Sequence, residues 1–175
     1  QDVVAAEGSE DDELDKVTVL SFDAKAEKDD VTITDLTVRL TYSGSGLATA
    51  TTVYLFDGST ELDSASVAAT SATAASAVFS DLDYVVSKDT TKTLTVKTDI
   101  RDANETVRTV LATLSSGSDI LAENSKGDNV VETGSATGYA MSVRDAGVEI
   151  SLASKSITTS GVAQTNGSPV STSTL

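Results

Sequence analysis

The sequence has no cysteine, no histidine and no tryptophan, and it contains one proline in 175 residues. Without cysteine the chain has neither a disulfide framework nor thiol chemistry. Without histidine a serine nucleophile lacks its usual base, and no glycine elbow or phosphate-binding glycine loop stands in the sequence. Most side chains that do chemistry near neutral pH are therefore missing, and we predict that the protein is not an enzyme.

Basic residues are scarce, since 12 Lys and Arg stand against 27 Asp and Glu and give a net charge of -15. Neutralising phosphates requires clustered Lys and Arg, so we expect no nucleic-acid partner and no docking on anionic lipid. No apolar run approaches the roughly 18 residues that span a bilayer, so we expect no direct membrane insertion. A surface of this charge repels its neighbours unless cations intervene.

Short segments with an apolar residue at every second position make up most of the chain, and none favours a helix. Thr90–Ile100 is the clearest of these strands. Val31–Tyr42 changes its apolar phase near Thr34 and Asp35, which predicts a bulge or a strand break. Because aromatic residues are only 4% of the chain, we expect an aliphatic, sheet-like core. The predicted core comprises Leu20, Phe22, Leu36, Val38, Leu40, Leu55, Phe79, Leu94, Val96 and Leu111.

Turn signals separate these strands. Val53–Phe56 and Glu61–Val67 flank an Asp57–Gly58 pair, which predicts a β-hairpin. Ala68–Ser76 has little pattern and is predicted to be a loop. Short strands with this spacing predict an all-β fold, an antiparallel β-sandwich of the immunoglobulin-like kind, with extra strands at the C-terminus.

We divide the chain into an acidic N-terminal strand and linker at 1–16, a sandwich at 17–114 and an irregular β region at 115–175. The last region contains Val148–Thr158, where Val148, Ile150 and Leu152 alternate with polar residues. We interpret it as extra strands that belong to a second or neighbouring module, or as an exchanged strand. Since the chain begins at Gln1 and ends within a Ser/Thr-rich strand pattern, we expect it to be a piece of a longer polypeptide.

Both chain ends look extended and show no hairpin partner in the sequence. A terminal strand without a partner leaves backbone groups unpaired, and insertion into the next molecule would pair them. We therefore expect head-to-tail strand exchange through Gln1–Gly8 and Ser168–Leu175, with deletion of Gly161–Leu175 abolishing polymerisation. The alternative, equally weighted, is that both ends are disordered or were severed from adjacent modules.

Calcium is the cofactor that the composition favours, because hard cations bind carboxylate, amide and carbonyl oxygens. The best candidate metal site is the loop that follows the clearest strand, with Asp99, Asp102 and Asn104 as ligands. For any single loop, solvated turn acids remain the favoured alternative. Asn104 and Asn166 also begin N-glycosylation sequons, a weak signal in a Ser/Thr-rich chain. The other acidic loops are Glu10–Asp15 and the group Asp23, Asp29 and Asp30.

Three stretches carry a resemblance to a known family: Val17–Leu40, the YLFDG hairpin within Val53–Ser64, and Ala77–Ile100 with its KDTTKTLTVK strand. The acidic DIRDA turn follows the last of them, and Ser142–Gly161 is similar to the lead-in of a next module. Together they resemble immunoglobulin-like repeat modules of surface-layer-type and cell-surface proteins of bacteria and archaea. The resemblance implies an extracellular structural role, and it has no catalytic residues to carry over.

The leading hypothesis is a non-catalytic structural subunit or repeat module of an extracellular assembly at the cell surface, either a surface layer or a filament. Its partners would be copies of itself or adjacent modules, with divalent cations stabilising the assembly. The alternative is an adhesin or carbohydrate-binding module, with glycans as partners. Sugar-binding sandwiches present aromatic platforms, and this chain offers only four tyrosines for that purpose. A third possibility is an accessory domain of an enzyme.

Overall fold

The chain folds into two packed β-sheets. No helix occurs among the residues described by this computed structural model, and so none that could cross a membrane. The sheets are antiparallel apart from one short edge strand, which confirms the predicted all-β sandwich. The described residues are 2–4, 14–43, 49–101, 108–115, 117, 119–144, 159–163 and 169–173.

The strands fall into one large sheet, one four-stranded sheet and a separate two-stranded hairpin. The large sheet has the order β1-β13-β10-β3-β7-β6, with β8 and β11 also on β3 and β12 on β10. The second sheet has the order β2-β9-β4-β5, and β14 pairs with β15. The strands are β1 Asp2–Val4, β2 Leu14–Lys25, β3 Val31–Tyr42, β4 Ala50–Asp57, β5 Thr60–Ser66, β6 Ala68–Ser71, β7 Ala74–Phe79, β8 Tyr84–Val86, β9 Thr91–Ile100, β10 Arg108–Ser115, β11 Ile120–Asn124, β12 Ser135–Thr137, β13 Met141–Arg144, β14 Thr159–Ala163 and β15 Pro169–Ser173.

Strand β3 is the centre of the large sheet and changes partners along its length. One edge pairs with β8 and then β7, and the other with β11 and then β10. The predicted bulge is present, because Leu121 pairs with Asp35 while Ala122 pairs with Ile33, which leaves Thr34 without a partner in that ladder. The bulge lets Ile33 and Leu36 both face the core despite their odd spacing.

The second sheet contains the predicted hairpin. Strands β4 and β5 pair from Thr52–Ser66 to Asp57–Thr60, and Gly58 in the turn has a φ of 60°. That left-handed conformation favours glycine, as the Asp-Gly signal indicates.

The loop predicted at Ala68–Ser76 is wrong. The segment forms a second hairpin, in which β6 pairs with β7 around a turn at Ala72 and Thr73. Alanine and serine have weak strand preference, so the local pattern carries little signal, and pairing of β7 with β3 determines the structure instead.

The core lies between the two sheets and is aliphatic, as predicted. Eight of the ten predicted core residues are buried, and Phe22 is half-buried against the same cluster. Leu111 is wrong: it is half-buried outside the core cluster, whereas Val110, Ala112 and Leu114 are buried. The apolar residues of this strand occupy both alternation phases, and the sequence pattern favoured the wrong one.

Residues beyond 114 add strands to the same sheet. Strand β11 pairs with β3, while β12 and β13 pair with β10.

Both termini also have partners, contrary to expectation. Strand β1 pairs in parallel with β13, and the C-terminal β15 forms a hairpin with β14 in which Val170 pairs with Val162. Val148–Thr158 lies outside the described ranges. The proposed boundary between residues 16 and 17 falls inside β2, and the division into domains stays a prediction.

Candidate functional site

The first predicted metal ligand, Asp99, lies near the end of β9 with 6% of its surface exposed. Its carboxylate accepts hydrogen bonds from the backbone N–H of Lys16 at 2.8 Å and from the hydroxyl of Tyr54 at 2.6 Å. The bond to Asp99, together with burial, raises the pKa of Tyr54 to about 12. Asp99 thus connects β9 to β2 and β4.

The other two predicted ligands, Asp102 and Asn104, lie outside the described residues, as does the second sequon at Asn166. Within the described ranges, no three acidic side chains come together in a way that could hold a metal ion. The structure therefore assigns a structural contact to Asp99, and the calcium site stays a prediction.

In the acidic group Asp23, Asp29 and Asp30, the last two residues connect loops and the first connects two strands. Asp29 accepts a hydrogen bond from the hydroxyl of Ser125 at 2.8 Å, which lowers the pKa of that carboxyl. Asp30 accepts the backbone N–H of Lys88 at 2.7 Å. Asp23 instead accepts the hydroxyl of Thr93 across the β2–β9 pair at 2.6 Å. These carboxylates join three separate connections rather than converging on one point.

An ion pair that the sequence did not predict joins Arg39 on β3, whose side chain is 52% exposed, to the buried Asp119. The Asp119 side chain is fully buried, and its oxygens accept the Arg39 Nε and Nη2 groups at 2.6 to 2.9 Å. Asp119 also accepts the backbone N–H of Ser115 at 2.8 Å, which ties the β10–β11 turn to the sheet. The sequence shows Arg39 as a single arginine on the polar face of a strand. It gives no sign of the partner, because Asp119 lies 80 residues further along the chain.

A hydrogen bond between two side chains also connects the two sheets. The hydroxyl of Tyr84 on β8 donates to Asp57 on β4 at 2.8 Å, and Lys92 lies 3.5 Å from the same oxygen. Burial and this bond raise the pKa of Tyr84 to about 12, while the Tyr84 hydroxyl lowers the pKa of Asp57.

Tyr54 and Phe56 lie on the outer face of the second sheet, beneath lysine side chains. The Nζ of Lys16 is 4.8 Å from the Tyr54 ring centre, and that of Lys97 is 4.2 Å from the Phe56 ring centre. Phe56 is only 6% exposed as a result. Lysine stems thus cover the one aromatic pair that could have served as a platform on this face.

Among the described residues, one concavity is bordered by β2. We call it the β2 cleft: a cavity of about 460 Å³ between β2 on one side and residues 130–133 on the other. Ile33, Val86 and Ala122 lie on its floor. Asp23, Lys25, Glu27 and Glu132 are also among its lining residues. An apolar floor beside an edge strand can accept an extended chain.

The fold defines this chain as an all-β protein of packed antiparallel sheets. Comparisons with protein-family models, with curated proteins and with solved structures found no match for it.

Proposed function

We propose that this protein is a non-catalytic structural subunit or repeat module, of immunoglobulin-like type, in an extracellular assembly. The observation that carries the proposal is that three carboxylates form contacts within the fold. Asp57, Asp99 and Asp119 each connect strands that are far apart in sequence. These carboxylates thus hold distant parts of the fold together, which suits a structural module.

The surface charge supports the same proposal. At a net charge of -15 the free protein repels its own copies, so its association depends on specific contacts and on cations. Calcium is the ion we propose, because carboxylates are its preferred ligands. Copies of this chain or adjacent modules of one polypeptide are the proposed partners, at the cell surface.

Electron microscopy of the concentrated protein tests the proposal. We expect filaments or ordered layers that form with calcium at physiological ionic strength. A protein that stays dispersed at every concentration, with and without calcium, would refute the assembly role.

The alternative function is a carbohydrate-binding adhesin module, and one residue favours it. Tyr139 is 88% exposed, whereas Tyr42 is buried and Tyr54 and Tyr84 are half-buried. A single exposed ring is a small platform for a sugar. Saturable binding to one class of glycan on an array, lost in Tyr139→Ala, would favour the adhesin over the structural module.

A further inference from the structure

The chain contains a single Asp–Gly pair, Asp57–Gly58, which lies where β4 turns into β5. An aspartate that precedes glycine rearranges more readily than other aspartates, because glycine has no side chain to hinder approach to its backbone nitrogen. Gly58 has a φ of 60°, and a Cβ placed on it would meet no atom within 4 Å. Among the described residues, nothing therefore crowds the Gly58 backbone on that side.

The rearrangement converts aspartate to isoaspartate in two steps. The backbone nitrogen of Gly58 gives up its proton and bonds to Cγ of Asp57, one carboxyl oxygen leaves as water, and a succinimide ring closes. A second water then breaks the bond between this nitrogen and the main-chain carbonyl carbon of Asp57, so the chain continues through the former side chain. One water leaves and one enters, so water is the only co-reactant and the mass of the protein is unchanged.

Contacts of the Asp57 carboxylate oppose closure of this ring. Its Oδ2 accepts the hydroxyl of Tyr84 at 2.8 Å and lies 3.5 Å from Nζ of Lys92. Closure moves Cγ onto the Gly58 nitrogen by rotation about the Cα–Cβ bond, which draws the carboxylate away from Tyr84. Loss of an oxygen as water also requires a protonated carboxyl group, and the Tyr84 hydroxyl lowers the pKa of Asp57.

The backbone of the hairpin opposes the same step. Asp57 pairs with Thr60 across the turn and with Leu94 on β9, as an extended strand residue does. Because the succinimide ring includes the Asp57–Gly58 peptide nitrogen, its closure requires a different backbone conformation at Asp57, and this end of the hairpin must open. Tyr84 belongs to the other sheet, so its hydrogen bond holds the closed hairpin in place.

We propose that Asp57 is a site of spontaneous isoaspartate formation and that Tyr84 is the positioning residue that suppresses it. The inference goes beyond the proposed function, because it assigns a covalent modification that does not depend on assembly. Conversion adds one methylene group to the main chain at the turn and moves the carboxylate away from the place where Tyr84 and Lys92 contact it. The β4–β5 hairpin then loses its hydrogen bond to β8.

Prolonged incubation of the folded full chain at neutral pH tests the proposal. Fragmentation mass spectrometry measures isoaspartate at position 57, because the two isomers fragment differently although their masses are equal. We expect Tyr84→Phe to form isoaspartate at Asp57 about fivefold faster than the wild type, since the substitution removes one hydrogen bond from the closed hairpin.

The matched control is Tyr54→Phe, which removes the hydroxyl that Asp99 accepts at 2.6 Å. Asp99 is followed by Ile100 rather than by glycine, so this variant loses a comparable bond without exposing an Asp–Gly pair. It should leave the rate at Asp57 unchanged. Asp63 lies on β5 of the same hairpin and precedes a serine, so its isoaspartate content reports general loosening and should be equal in all three proteins.

Incubation in urea separates the chemistry of the pair from the protection by the fold. The unfolded wild type and unfolded Tyr84→Phe should form isoaspartate at Asp57 at one common rate, faster than the folded wild type. This comparison holds even where a variant folds poorly. A folded wild type that reacts as fast as the unfolded chain would overturn the proposed protection.

Three further outcomes would overturn the proposal. The first is an equal rate at Asp57 in folded Tyr84→Phe and wild type. The second is an acceleration that Tyr54→Phe or Asp63 shares, which would reflect general loosening of the fold. The third is the absence of isoaspartate at Asp57 from every sample, including those in urea, while the Asn166–Gly167 pair of the same chain rearranges through the same kind of ring.

Discussion

Three tyrosines differ in whether their hydroxyls have a hydrogen-bond partner. Tyr54 and Tyr84 donate their hydroxyls to Asp99 and Asp57. Tyr42 is 4% exposed, and among the described residues its hydroxyl has no hydrogen-bond partner. Burial raises the pKa of Tyr42 to about 12. A buried donor without a partner destabilises the fold, whereas a satisfied one contributes to it.

We therefore predict opposite effects for two identical substitutions. Tyr84→Phe should lower the free energy of unfolding by about 1 kcal/mol, since it removes a hydrogen bond. Tyr42→Phe should leave it unchanged or raise it by about 1 kcal/mol, because it removes an unpaired buried hydroxyl. Urea denaturation of both variants measures this, and a Tyr42→Phe loss as large as that of Tyr84→Phe would contradict it.

The Tyr84–Asp57 bond also predicts a dependence on pH. The bond lowers the pKa of Asp57 below its ordinary value of 3.8, so its stabilising effect is present above that pH and is lost as the pH falls through the lowered pKa. The difference in unfolding free energy between wild type and Tyr84→Phe should thus shrink below about pH 4. A difference that stays constant from pH 7 to pH 2 would contradict this assignment. Comparing the two proteins cancels the effect of the overall charge.

At the scale of elements, the sequence predicted strands well wherever one face alone is apolar. Thr91–Ile100 and the β4–β5 hairpin follow from alternation and from the Asp-Gly turn. The β6–β7 hairpin did not, because alanine and serine carry little strand preference and long-range pairing with β3 decides the outcome. The Asp119–Arg39 pair was equally out of reach, since its partners are separated by 80 residues.

Strand β10 offers a direct test of which face points inward. Leu94 on β9 is fully buried, whereas Leu111 on β10 is half-buried outside the core cluster. Leu94→Ala should destabilise the protein by about 2–5 kcal/mol, because it leaves a cavity in the core. Leu111→Ala removes the same atoms from a partly solvated position, so it should cost clearly less. Thermal denaturation that gives equal losses would place Leu111 in the core.

For the whole molecule, the net charge of -15 dominates behaviour in solution. Cations should stabilise both the fold and the assembly, because they reduce repulsion among the acidic loops. We predict a higher melting temperature in calcium than in chelator at constant ionic strength, and a smaller calcium effect in Asp102→Asn. Asp81→Asn makes the same charge change at an exposed position between β7 and β8 and should keep the full effect. Equal melting in calcium and chelator would rule out a specific site and leave general screening.

Self-association is the property on which the whole account depends. Among the described residues β2 is an edge strand beside a partly apolar cavity, and carboxylates such as Asp99 connect distant strands, which fits a module that joins its own copies. Sedimentation velocity on the full chain, over a dilution series with calcium at physiological ionic strength, measures this association directly. We predict a continuous series of species that grows with concentration, as open head-to-tail chains require. A single monomeric species at every concentration would contradict the account.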